Sequence, residues 1–105
     1  MSDKYILDVD WNPVPCPDLL VWGRWMQQIG NGRIVVKEKV GDCEVSTVFL
    51  GLDHSYGEGP PLLWETLVFG GHMDQEMDRC SGGKADARAM HDRMVSRVLT
   101  ERACS

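Results

Sequence analysis

This 105-residue chain lacks several features, and each absence removes a class of protein. No run approaches the ~18 consecutive apolar residues that suggest a membrane-spanning helix. Met1 to Asp10 carries charges and no apolar stretch, so no secretory signal is expected. Excess positive charge is also missing. Eleven Lys and Arg stand against 16 Asp and Glu, a formal net charge of −5. That sign disfavours a general nucleic-acid binder or a protein that docks on anionic membranes, and it suits a basic protein partner. No C-x-x-C pair occurs among Cys16, Cys43, Cys80 and Cys104, which excludes a zinc ribbon and a thioredoxin motif. Free thiols in a reducing cytoplasm are expected. Catalytic signatures are absent too. There is no Gly-x-Ser-x-Gly or His-Glu-x-x-His, and Gly57-Glu58-Gly59 lacks the Lys-Ser/Thr ending of a phosphate loop.

What the chain has is enough apolar content for one modest core, with four Trp and six Met standing in for scarce Phe. One α+β domain over 1–105 is expected. Tyr5-Ile6-Leu7 predicts a short edge strand, broken by Pro13, Pro15 and Pro17. Leu19, Trp22, Met26 and Ile29 recur at helical spacing, with Pro17 or Asp18 at the start and Gly30-Asn31-Gly32 at the end. Gly23 inside that helix predicts close packing on a sheet. Arg33 to Val40 alternates as a strand, Gly41-Asp42 suits a two-residue hairpin turn, and Cys43 to Leu52 forms a central strand. Leu62 to Phe69 is the third strand. A last helix is expected from about Gly83 or Lys84 to about Arg102, with Ser81 as N-cap and a stripe of Ala87, Met90, Met94 and Val98 flanked by His91. The resulting fold is a three-stranded antiparallel β-meander flanked by an N-terminal and a C-terminal helix, αβββα.

That order resembles the double-stranded-RNA-binding fold. The start of the last helix departs from it, since Ser81-Gly82-Gly83-Lys84-Ala85-Asp86 carries no basic cluster. A more extensive resemblance runs through Tyr5-Ile6-Leu7, Pro13-Val14-Pro15, Pro17-Asp18-Leu19-Leu20, Trp22 and Arg24-Trp25. It continues in Val45-Ser46-Thr47-Val48-Phe49-Leu50-Gly51-Leu52-Asp53-His54. Gly57, Gly59-Pro60-Pro61-Leu62-Leu63, Glu65-Thr66 and Val68-Phe69-Gly70-Gly71 complete it. This pattern is similar to a family of short bacteriophage and prophage proteins. The resemblance implies an accessory protein at work in the bacterial host cytoplasm, and brings no established activity.

The loop from Asp53 to Pro61 is the candidate site. Asp53, His54, Tyr56 and Glu58, with Trp25, are expected to form a protein-binding surface, with Asp53 capping the turn by accepting backbone N–H groups. The favoured reading is a non-enzymatic protein without cofactor that binds a host protein, for example a counter-defence inhibitor of anti-CRISPR type. A homodimer through a sheet edge or the Trp-rich helix is a further expectation. Two alternatives stand beside it: a nucleic-acid module using Lys37, Lys39, Arg79, Arg88, Arg93 and Arg97, and a small metal-dependent enzyme using Asp53, His54 and Glu65.

Overall fold

The computed structural model describes residues 3–55 and 59–101, and the helical backbone through 104. Among the described residues the chain forms a mixed α+β unit with two sheets and two α-helices. Strands β1 (Tyr5–Leu7) and β2 (Pro13–Pro15) pair antiparallel as a separate ribbon. Helix α1 (Leu19–Ile29) and a 3₁₀ turn (Gly30–Arg33) lead into the main sheet. That sheet is an antiparallel meander of β3 (Ile34–Val40), β4 (Cys43–Phe49), β5 (Trp64–Phe69) and β6 (Met77–Cys80), in that order. Helix α2 (Lys84–Cys104) closes the chain.

The β3–β4 hairpin follows the expected alternation. Val40 pairs with Cys43 across Gly41-Asp42, and Gly41 takes φ 64°, a conformation glycine adopts without a Cβ clash. On β4, Cys43, Val45, Thr47 and Phe49 are buried, while Glu44, Ser46 and Val48 on the opposite face are half-buried. The register shifts between Ile34 and Val36, so Ile34 lies opposite Val48 and Val36 opposite Thr47. Those two residues therefore fall on different faces of the sheet.

Helix α2 covers the inner face. Ala87, Met90, His91, Met94 and Val98 are all buried, at the spacing of one helical stripe. Two apolar clusters lie beneath it. One gathers Val40, Cys43, Val45, Val68, Met73, Met94 and Val98; the other gathers Leu7, Phe49, Leu63, Trp64, Ala87 and Met90. Phe49 packs tilted on Trp64 at 5.0 Å between centroids and meets Trp25 edge-on at 5.9 Å. Such pairs add about 0.5–1.5 kcal/mol beyond area burial.

Four expectations need correction. The meander has a fourth strand, β6. Its sequence Met77-Asp78-Arg79-Cys80 shows no apolar alternation, and it forms because the open edge of β5 takes up its backbone, with Trp64 opposite Cys80 and Leu67 opposite Met77. The N-terminal strand does not extend the main sheet. It pairs with the Pro13–Pro15 segment, since a two-stranded ribbon has free edges where a missing N–H is tolerated. Helix α1 does not flank the sheet as α2 does; its principal contacts are with β1 and the 3₁₀ turn. The first turn of α2 is closed by Asp86, whose carboxylate accepts the Gly83 N–H at 2.9 Å, with no such role for Ser81.

Helix α1 starts at Asp18, whose carboxylate accepts the N–H groups of Leu20 and Val21 at 3.0 and 3.1 Å. Within it, Gly23 has no neighbouring atom within 4 Å of where a Cβ would stand. Close packing therefore does not account for it. Gly23→Ala is expected to raise stability by about 1 kcal/mol, the helix-propensity difference, read as a higher urea midpoint at unchanged slope.

Candidate functional site

The Asp53 loop is built as a capped turn. The Asp53 carboxylate accepts N–H groups from Ser55 at 2.8 Å and Leu62 at 3.0 Å, joining the two ends of the loop. His54 N–H donates to the Leu62 carbonyl at 3.0 Å, and Asp53 N–H to the Asp3 carbonyl at 2.8 Å. The backbone N–H of Ser55, foremost among these contacts, holds the Asp53 carboxyl below its ordinary range. The cap therefore persists above the ordinary carboxylate range and is lost only as pH falls through the lowered value. Tyr56 and Glu58 lie outside the described residues.

The proposed metal set is not assembled. Glu65 pairs with Val48 in the sheet and binds Arg79 at 2.9 Å. His72 is exposed beyond the far end of β5, and among the described residues no three His, Cys, Asp or Glu side chains converge on a point that suits a metal ion.

A polar chain missed at the sequence level crosses the core. The Thr66 hydroxyl bonds the Thr47 hydroxyl, Thr47 Oγ1 lies 2.8 Å from His91 Nδ1, and His91 Nε2 lies 2.6 Å from Glu38 Oε1. A neutral His91 that donates from Nε2 to Glu38 accepts at Nδ1 from Thr47, which in turn accepts from Thr66. Carboxylate, imidazole and hydroxyl also make up the relay that activates nucleophiles in hydrolases. Here Thr47, Thr66 and His91 have no accessible surface, so no substrate reaches the hydroxyl. The chain joins β3, β4, β5 and α2. Two residues carry the signal for it: Glu38 falls on the strand face shared by Val36 and Val40, and His91 adjoins the apolar stripe of α2.

The Cys80 thiol is held in its protonated form at neutral pH. Burial, reinforced by the Asp86 carboxylate, pushes its pKa up to about 11.

An open cleft of about 490 Å³ lies between the β1–β2 ribbon tip and α1. Leu7, Asp8, Val9 and Trp11 form one wall, and Trp25 and Ile29 the other. The tip is shaped by Asp8, whose carboxylate accepts the N–H groups of Asp10 and Asn12, each at 2.9 Å. Trp11 sits there at φ 66°, unusual for a bulky side chain. Lys84 places its ammonium 4.6 Å from the centre of the Trp11 ring. Trp25 is half-buried, in contact with Phe49 on one side and bordering the cleft. Trp22, Trp11 and Trp25 are all partly exposed, and only Trp64 is fully enclosed. Trp25 is therefore the expected binding residue that meets a cavity, whereas Asp53 and His54 form a turn. Asp8 and Val9 had no distinguishing signal, because the cleft arises from tertiary packing.

His91→Ala is expected to cost about 3 kcal/mol in urea unfolding, combining a cavity with orphaned Thr and Glu partners. Alkylation of Cys80, followed by peptide mass mapping, is expected to be slow at neutral pH and to accelerate toward pH 11 as the thiolate forms. No helix among the described residues is long and apolar enough to cross a membrane. The chain matches no protein-family model, no curated protein and no solved structure, so its own geometry carries the functional argument.

Proposed function

We propose that this chain is a non-enzymatic protein-binding module of phage type, acting on a host protein in the bacterial cytoplasm as a counter-defence factor would. The observation that carries the binding role is apolar surface left in water around the Trp-lined cleft. Val9, in the cleft wall, is 94% exposed, and Val21, one helical turn before Trp25, is 50% exposed. Leu19 and Leu20, in the first turn of α1, are exposed as well. Apolar side chains concentrated beside a concave site mark partner surfaces more often than solvent-facing ones.

The alternatives have less support. Of the basic residues that a nucleic-acid reading needs, Lys37 pairs with Glu44, Arg79 with Glu65, Arg88 with Asp92 and Arg97 with Glu76. Phosphates would have to displace carboxylates at each of them. Self-association through sheet edges is opposed by Lys37 and Lys39 on β3 and by Asp78 and Arg79 on the short β6, charges of the kind that deter edge pairing.

Affinity capture from bacterial lysate tests this reading. The wild-type chain is expected to retain a partner that the double variant Val9→Asp, Val21→Asp does not. Equal recovery by both, or no partner for either at micromolar concentration, overturns it.

A further inference from the structure

The cleft has the chemistry to select a charge as well as a shape. Its walls are mostly apolar, two of its six lining residues are indoles, and its single charged lining residue is Asp8. A volume of about 490 Å³ is ample for one long side chain. We propose that this cleft receives a lysine or arginine side chain of the partner protein, with the stem against Trp11 and Trp25 and the charged head toward the Asp8 carboxylate. This inference rests on the protein-binding reading and specifies its central contact.

Three observations support it. First, the Asp8 carboxylate is held in place without being neutralised. Its hydrogen-bond partners are the backbone N–H groups of Asp10 and Asn12, with the Asn12 side chain beside them, all uncharged donors. Among the described residues no Lys or Arg forms an ion pair with it. The same N–H contacts, that of Asn12 foremost, keep its carboxyl below the ordinary range, so the charge persists through neutral pH. Second, the Trp11 ring already accepts a cation. Lys84, which is not among the lining residues, sits over it at 4.6 Å. An indole face attracts ammonium and guanidinium groups through its quadrupole. Third, an anionic ligand would meet Asp8 and the neighbouring exposed Asp10, and a wholly apolar one would gain nothing from the Asp8 charge. A basic side chain with an alkyl stem meets both the apolar and the charged wall.

The test uses the full chain and small probes. Nα-acetyl-arginine methylamide is titrated against its neutral citrulline counterpart, and Nα-acetyl-lysine methylamide against norleucine, with the indole N–H signals of Trp11 and Trp25 followed by NMR. The cationic probes are expected to bind about three-fold or more tightly than their neutral partners, the size of one exposed ion pair. Asp8→Asn, which keeps an acceptor for the turn, is expected to abolish that preference. Trp11→Gly, which suits the backbone at φ 66°, is expected to abolish binding. Equal affinity for charged and neutral probes, a preference that survives Asp8→Asn, or no movement of either indole signal overturns the inference. If lysate capture succeeds while the probes fail, the partner docks without a basic side chain in the cleft. If the probes discriminate while capture fails, the cleft's charge selectivity stands and the host-partner reading falls.

Discussion

The interaction on which the rest depends is the hydrogen-bonded line from Glu38 through His91 to Thr47 and Thr66. It sits in the N-terminal half of α2, between the apolar cluster around Val45 and Met94 and the one around Phe49 and Met90. Apolar packing alone tolerates a helix sliding by a turn along a strand face, because one Met or Val fits much like another. A buried imidazole with a carboxylate on one side and a hydroxyl on the other has one register in which both nitrogens are satisfied. Among the described residues no buried side-chain polar atom lacks a partner. The helix is therefore located by chemistry at His91 and stabilised by apolar area on either side of it.

The fold was legible where local rules and tertiary needs coincide. Alternation from Val40 back to Val36 and from Cys43 to Phe49, with a glycine turn between, leaves little alternative to a hairpin. The stripe of α2 was equally clear. Strand β6 was not, because nothing in Met77-Asp78-Arg79-Cys80 favours extension until β5 offers an unpaired edge. Strand β2 was hidden by its prolines, which are poor strand formers in general and acceptable in a two-stranded ribbon.

The candidate site was legible only in part. Trp25 was identifiable as a helix aromatic with more than one face to satisfy, and Asp53 as a turn cap. The opposing wall was not, since neither the positive φ of Trp11 nor the approach of the 8–12 turn to α1 has a sequence signature. The described ends of the loop with the most conspicuous residue pattern form a capped turn, and the quieter turn at Asp8 shapes the cavity. Conspicuous residues reflect backbone demands such as caps and positive φ at least as often as they reflect chemistry.

One peptide group links these parts mechanically. The Gly51 carbonyl, just past β4, accepts both the Tyr5 N–H of β1 at 2.9 Å and the Trp22 indole N–H of α1 at 3.0 Å. Gly51 lies at φ 78°, and a Cβ there would come within 2.8 Å of Met26 Sδ, so the approach of α1 depends on a bare backbone at this point. The two walls of the cleft thus share one oxygen atom as an anchor, beside the packing of Leu7 and Trp25 on the Phe49 cluster. A shift at the end of β4 moves both, and force applied at the cleft is returned to the central strand of the sheet.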